Sequence, residues 1–159
     1  MIAAEEKNNN TLILAATRRG HKIICHERLY MAHYIDGFTF PISRDHVDQY
    51  KIVAEAVAKI YREHGALDYL EFVGDDMYRE GTRPFPDLVT ATENETIVFG
   101  WVVFDSREAR DLVNKKVESD SRMEKLIAPL LDPSNPVFDA SRMAYGGFKP
   151  LVGPNKESK

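Results

Sequence analysis

The order of strand and helix patterns along this chain of 159 residues predicts an α+β fold. Two segments of similar length each contain a strand pattern, a helical repeat and a second strand pattern, so the element order is βαββαβ. Neither segment carries the glycine signature of a dinucleotide-binding or phosphate-binding loop. The run IVFGWVVF at residues 97–104 has no polar side chain, so both faces of that strand are apolar. These observations predict a ferredoxin-like fold: a four-stranded antiparallel sheet with two helices on one face.

The first βαβ unit begins with a strand at residues 34–41, which are rich in aromatic and β-branched side chains and stop at Pro41. Apolar residues then recur at helical spacing from Val47 to Tyr61. This helix is expected to end at Gly65, because glycine readily adopts the left-handed conformation that terminates helices. Residues 66–74 form the second predicted strand.

The second unit follows a long connection over residues 75–95, in which a short irregular strand is expected near Leu88 to Thr90. Its predicted elements are, in order, a strand at 97–104, a helix capped by Ser106, a further turn or two beginning at Asp120 or Ser121, and a last strand at 142–150.

The two ends of the chain show no sustained periodicity. We expect residues 1–30 to be a poorly ordered extension, with Met31 as an alternative start, and residues 153–159 to be a flexible tail. The predicted domain therefore spans residues 31–152. Arg18 and Arg19 follow the short apolar run from Leu12 to Ala16, whereas a secretory signal places its positive charge before that run.

The composition excludes several classes of function. The net charge is −4 and no basic cluster is present, which argues against binding to nucleic acid. No stretch approaches the roughly 18 apolar residues of a membrane span, so no membrane association is expected. The single cysteine, Cys25, cannot form an internal disulfide and offers no zinc spacing, which favours a reducing cytoplasm. No histidine pairs with an acid at metal-ligand spacing, so neither a metal nor another cofactor is expected.

Side-chain alternation predicts which residues lie away from the helices. Small residues let helices approach a sheet closely, so the helices are expected over the face that carries Gly37, Gly100, Ala144 and Gly146, joined by Leu70 and Phe72. The opposite face then holds seven candidate ligand-binding residues: Asp36, Phe38, Tyr69, Glu71, Phe99, Trp101 and Tyr145. Monomers rarely expose so large an aromatic surface. A second copy is therefore expected to cover it, sheet against sheet, in a homodimer.

Five segments between Tyr34 and Val152 carry a family resemblance. They read, in order, YIDGF, GALDYLEFVGDD, ENETIVFGWVVFDSREARD, SDSRM and SRMAYGGF. Together they resemble the YbaA-like family of bacterial domains of unknown function. The resemblance implies a dimeric α+β barrel, in which two ferredoxin-like sheets face each other around a shared interior with room for a cavity. It supplies no catalytic residues. Larger relatives in the barrel group include cofactor-free oxygenases of aromatic substrates, haem-binding proteins and proteins that only assemble.

Three functions are compatible with this pattern. The first is binding of a small, partly aromatic molecule between the two sheets, with Trp101 and Tyr145 either stacking on it or packing at the interface. The second is a cofactor-free oxygenase or isomerase with Asp36 or Glu71 as base, because carboxylates among aromatic side chains have raised pKa values; each is equally interpretable as a buried hydrogen-bond partner. The third is a structural or regulatory assembly protein whose aromatic side chains fill the interior.

Overall fold

The computed structural model describes residues 34–132, 136–137 and 139–152. The predictions of a poorly ordered extension at residues 1–30, an alternative start at Met31 and a flexible tail at residues 153–159 concern residues outside this described part. Within the described part, a four-stranded antiparallel sheet has the strand order β2-β3-β1-β4. The strands are β1 (Tyr34–Ser43), β2 (Asp68–Val73), β3 (Glu95–Phe104) and β4 (Ala144–Phe148). The helices are α1 (Val47–His64), α2 (Phe85–Leu88), α3 (Arg107–Glu118) and α4 (Ser121–Ile127).

This topology confirms the predicted ferredoxin-like α+β fold. None of the helices in the described residues is long and apolar enough to cross a membrane.

The predicted helix ends are confirmed at three positions. Gly65 ends α1 with a φ of 113°, in the left-handed region that glycine adopts without steric cost. The Ser106 hydroxyl accepts a hydrogen bond of 3.1 Å from the backbone N–H of Ala109 at the start of α3. The Asp120 carboxylate caps α4 in the same way, accepting from the N–H of Arg122 at 3.0 Å.

Every strand differs from its predicted bounds by one or two residues at one or both ends, and one predicted strand is a helix. Strand β1 continues through Pro41 to Ser43, and the missing N–H of Pro41 costs no ladder hydrogen bond. The carbonyl of its partner Ile97 accepts instead from Gly74 on the other side of β3, so Pro41 and Ile97 are a non-hydrogen-bonded pair. The irregular strand expected near Leu88 is the end of the short helix α2, and Thr90 has a positive φ of 52°.

The main core lies between the sheet and the helices α1, α3 and α4. Its largest fully buried side chains are Phe40, Phe104, Ile42 and Val98, all from β1 and β3. Ile60 of α1 and Val113 and Val117 of α3 pack against them. The two central strands thus supply most of the buried apolar surface that holds the helices on the sheet.

The predicted assignment of sheet faces is right for β3 and wrong for the other three strands. Gly100 faces the helices, and Phe99 and Trp101 face away, as predicted. In register, Gly100 is paired with Phe38 on one side and Glu71 on the other, and residues paired in this way share a face. The residues expected on the outer face that lie under the helices instead are Asp36, Phe38, Tyr69, Glu71 and Tyr145. Those expected under the helices that face away are Gly37, Leu70, Phe72, Ala144 and Gly146.

The prediction was wrong for three strands because small and large residues alternate across neighbouring strands. A Cβ atom on Gly100 would lie 2.7 Å from the ring of Phe38, so the glycine provides the space that this ring fills. On the opposite face, Gly37 is paired with Trp101. A glycine therefore marks the position next to a large side chain, rather than a face on which small residues gather.

The outer face of the sheet carries a continuous series of four aromatic side chains, which we call the outer aromatic row. Phe72 stacks on Trp101 with ring centroids 5.2 Å apart, Trp101 contacts Phe99 at 5.6 Å, and Phe99 contacts Phe85 of α2 at 5.6 Å. The connection that carries α2 covers one end of this face, where Val89 and Ile97 are buried. Phe72 and Phe99 stay 51% and 40% exposed.

The pairing of Gly100 with Phe38 gives a test of the face assignment. A methyl group at position 100 would lie 2.7 Å from the backbone oxygen of Leu70 as well as from Phe38. We expect Gly100→Ala to destabilise the fold by about 1–3 kcal/mol, as overpacking typically does. Gly146→Ala is the matched control, because its added methyl group would meet Phe148 at 3.4 Å, an ordinary contact. Equal urea midpoints for the two variants would contradict this packing.

Candidate functional site

A cavity of about 220 Å³ lies between the sheet and the helices. Most of its wall is apolar, and polar groups come from one carboxylate and four phenols. The lining residues are Asp36, Phe38, Phe40, Tyr50, Val53, Ala54, Val57, Tyr61, Tyr69, Val102, Met123, Ile127, Leu130, Met143 and Tyr145. A largely apolar cavity with a few converging polar groups is the usual form of a small-molecule site.

The first polar cluster joins α1 to β2. Tyr69 and Glu71 are alternate residues of β2 and so share its helix-facing side, while Tyr50 lies in the first turns of α1. The Tyr50 hydroxyl donates to Glu71 Oε2 at 2.8 Å, and the Tyr69 hydroxyl donates to Glu71 Oε1 at 2.6 Å. Each carboxylate oxygen therefore has one phenol partner. Tyr61 extends the cluster, with its ring 5.2 Å from that of Tyr69.

Burial controls the protonation of this cluster. It raises the pKa of Glu71, while the hydrogen bonds from Tyr69 and Tyr50 lower it in part. Burial and the adjacent Glu71 also raise the pKa values of the Tyr50 and Tyr69 phenols. The two phenols consequently stay protonated and direct their hydrogens to Glu71.

The second polar cluster joins α3 to β1 around Asp36, which is 3% exposed. Arg110 and Asn114 are one helical turn apart and present their side chains on the same face of α3. The Asn114 amide donates to Asp36 Oδ2 at 3.0 Å, and Arg110 Nε lies 3.5 Å from Asp36 Oδ1. Arg110 also donates to the Tyr34 hydroxyl at 3.0 Å. The carboxylate is thus fixed on one side and faces the cavity on the other.

Tyr145 reaches the same end of the cavity from β4. Burial, and then the neighbouring Asp36 carboxylate, raise the pKa of its phenol. Glu71 lies at the other end, behind Tyr50 and Tyr69, which also border a second groove of about 440 Å³ along the edge strand β2. The two carboxylates therefore flank the cavity, but only Asp36 forms part of its wall.

The structure brings five of the seven predicted site residues together. Asp36, Phe38, Tyr69 and Tyr145 line the cavity, and Glu71 holds two phenols of its wall in place. Phe99 and Trp101 are separated from them by the thickness of the sheet and belong to the outer aromatic row. The predicted combination of both carboxylates with Trp101 on one face is wrong, because the carboxylates face the helices.

Sequence reasoning missed four residues of the site. Tyr50 and Tyr61 lie within the apolar repeat of α1, and their hydroxyls are the signal for a polar partner, because a buried hydroxyl needs one. Arg110 and Asn114 stand at an i, i+4 spacing beside the buried Val113 and Val117. Two polar residues so placed, adjoining the apolar side of a helix, were the signal for a buried polar partner on the sheet.

Other polar contacts connect the periphery. Arg142 donates to both oxygens of Glu95, at 2.8 Å and 2.7 Å, and thereby ties the approach to β4 to β3. His64 and Arg122 both contact the Asp120 carboxylate. Among the described residues, no group of three or more His, Cys, Asp or Glu side chains is arranged to hold a metal ion.

The fold and the cavity together define a class: a ferredoxin-like α+β domain with an apolar, phenol-lined cavity beneath its helices. A family model described as a protein of unknown function (DUF1428) matches residues 33–139, and the chain belongs to this family.

Relatives of this chain extend over most of its length. It is similar to the uncharacterized protein YbaA of Escherichia coli strain K12, with 37% identity over 119 residues that cover 75% of this chain and 97% of YbaA. The YbaA protein of Shigella flexneri matches with the same values. A solved structure, a NIPSNAP family protein of unknown function from Agrobacterium tumefaciens strain C58, is 18% identical with a TM-score of 0.45, covering 76% of this chain and 89% of that one. The resemblance to YbaA found in the sequence is confirmed.

The Glu71 cluster predicts a pH dependence of stability. The pKa of Glu71 is raised above 4.5 in the folded state, so its contribution to stability is complete at low pH and is lost as pH rises through the folded pKa. We expect Glu71→Gln to flatten the fall in urea midpoint between about pH 4.5 and neutrality, because it removes that proton.

Glu95→Gln is the matched control with the opposite sign. Hydrogen bonds from Arg142 lower the pKa of Glu95 to about 2, so its contribution is present above 4.5 and is lost as pH falls towards that value. This variant should flatten the acid side of the profile only. A Glu71→Gln variant that retains the wild-type slope above pH 4.5 would contradict the raised pKa.

Proposed function

We propose that this protein is a homodimer in which each subunit binds a small, partly aromatic molecule in the cavity between its sheet and its helices. The single observation that carries the binding function is the cavity itself, which has an apolar wall with one carboxylate and four phenols. The binding site is thus proposed beneath the helices, rather than between two sheets as the sequence had suggested, because Asp36 and Tyr145 face that way.

The size and chemistry of the cavity support a small ligand. An apolar cavity of about 150 Å³ is already large enough to bind benzene, and this one measures about 220 Å³. Drug-sized molecules need about 300 Å³ or more. A single substituted aromatic ring therefore matches the space, with its substituent at the polar end near Asp36 and Tyr145.

An enzyme acting at the same site is the second candidate. The observation that favours it is the position of Asp36, a carboxylate 3% exposed that forms part of the cavity wall and is held by Asn114. Such a group is suited to take a proton from a bound molecule, as in a cofactor-free oxygenase or isomerase. Turnover of a bound ligand that is lost in Asp36→Asn would favour the enzyme over the binder.

The outer aromatic row supports the homodimer. Phe72, Phe99 and Phe85 are each at least 40% exposed, and with Trp101 they form one contiguous apolar surface. Soluble monomers seldom leave such a surface in water. A second copy presenting the same row buries both surfaces at once, as a two-fold interface requires. We also place the protein in the cytoplasm, because its single cysteine suits a reducing compartment.

Filling the cavity tests the binding function. Val57 lines the cavity from α1, and Val57→Phe places a ring in that space. Benzyl alcohol should raise the melting temperature of the wild type and leave that of Val57→Phe unchanged. Ile52→Phe is the control, because Ile52 lies on the same helix and is 71% exposed. If benzyl alcohol stabilises neither the wild type nor Ile52→Phe, the cavity does not bind uncharged aromatic molecules of this size.

Removing the central ring of the outer aromatic row tests the dimer. Trp101→Ala should weaken association, since truncating a fully buried Trp typically costs about 3–5 kcal/mol. Sedimentation velocity at micromolar concentration should show a dimeric wild type and a larger monomer fraction for the variant. Ile52→Ala, on the helical side, should remain dimeric. A well-folded wild-type monomer under these conditions would refute the dimer.

A further inference from the structure

We propose that the ligand of this cavity is an organic cation, a small aromatic amine in its protonated form. The inference rests on the proposed binding function and adds the chemical class of the ligand. It follows from three properties of the cavity wall: the sign of its charge, the direction of its hydrogen bonds and the number of its aromatic rings.

The charge of the wall is negative. Among the fifteen described residues that line the cavity, Asp36 is the one with a charged side chain, and none is Lys, Arg or His. Arg110 lies behind Asp36 and contacts two acids. Its Nε is 3.5 Å from Asp36 and 3.3 Å from the exposed carboxylate of Asp111. Because the guanidinium serves two acids, it neutralises Asp36 only in part. A bound anion would meet this carboxylate without a compensating positive group in the wall.

The hydrogen-bonding groups of the wall are mainly acceptors. Tyr50 and Tyr69 give their hydroxyl protons to Glu71, so their oxygens offer only lone pairs to a ligand. Asp36 Oδ1 is buried, lies 3.5 Å from Arg110 Nε and accepts no hydrogen bond from the described residues, so Asp36 acts on a ligand mainly through its negative charge. A ligand that supplies donors satisfies the phenol oxygens, whereas a ligand that supplies only acceptors leaves them without partners. An ammonium group has three donors and no acceptor.

Aromatic rings make up a large part of the remaining wall. Six of the lining residues are aromatic: Phe38, Phe40, Tyr50, Tyr61, Tyr69 and Tyr145. The negative faces of aromatic rings attract cations, and cages of several aromatic rings are typical of sites that bind organic cations. A protonated amine attached to an aromatic ring therefore matches both the polar end and the apolar body of the cavity.

The test compares three probes of the same size at neutral pH: benzylamine, benzyl alcohol and benzoate. Titration calorimetry on the full-length protein should give the lowest Kd for benzylamine, at least about tenfold below that for benzyl alcohol, the difference expected of a charge-assisted hydrogen bond. Benzoate should show no binding. Asp36→Asn should remove most of the preference for benzylamine over benzyl alcohol. Asp105→Asn, which removes an exposed carboxylate outside the cavity, should behave as the wild type.

The outcomes separate this inference from the proposed function. Equal affinity for the amine and the alcohol, or a preference for benzoate, would overturn the cation while leaving the binding site intact. Binding of benzylamine that survives Val57→Phe would place it outside the cavity and overturn the inference as well. Absence of binding by all three probes would reject the binding function itself. The wild-type comparison decides between amine and alcohol even if Asp36→Asn fails to fold.

Discussion

The packing of Phe38 against Gly100 is the constraint on which the arrangement of the sheet depends. The glycine leaves no room for a side chain at the centre of β3, and the ring of Phe38 occupies that space from β1. Since alternate residues share a face, this contact also turns Asp36 and Phe40 towards the helices. Glu71 of β2 also faces the helices, because it is paired with Gly100 on the other side of β3. One small residue in the central strand therefore determines which polar groups are buried.

Burying two carboxylates beneath the helices costs free energy unless their oxygens have hydrogen-bond partners. Glu71 and Asp36 differ in how completely their oxygens are paired. Both oxygens of Glu71 accept from phenols, which makes the cluster a bridge between α1 and the edge strand β2. Asp36 has a hydrogen-bond donor on Oδ2 and an ion pair at 3.5 Å on Oδ1. Both oxygens of Glu71 thus have hydrogen-bond partners, whereas Asp36 Oδ1 accepts no hydrogen bond from the described residues and Asp36 forms part of the cavity wall. This difference is why Asp36, and not Glu71, is the more suitable ligand contact.

Local chemistry made most of the fold predictable from the sequence. Gly65, Ser106 and Asp120 end or begin helices through interactions within a few residues, so their roles are visible without any tertiary contact. The pairing of faces between strands is different, because it depends on register, and a shift of one residue inverts a whole strand. The sequence identified Asp36, Glu71 and Tyr145 as site residues, but their position relative to Trp101 required the register of β1, β2 and β4. The partners on α3, Arg110 and Asn114, lie more than 70 residues from Asp36. Their spacing on the helix signals a buried polar partner but does not say which residue of the sheet supplies it.

The apolar run at residues 97–104 now has a physical account on both of its faces. Val98, Val102 and Phe104 point into the core, where Val102 also lines the cavity. Phe99 and Trp101 point the other way into the outer aromatic row, next to residues contributed by β2 and α2. Neighbouring residues of this strand thus belong to two different surfaces, one on each face of the sheet. Trp101 of the outer aromatic row adjoins Val102 of the cavity wall and is paired with Gly37 in β1. The strand that lacks polar side chains therefore contributes to both surfaces at once.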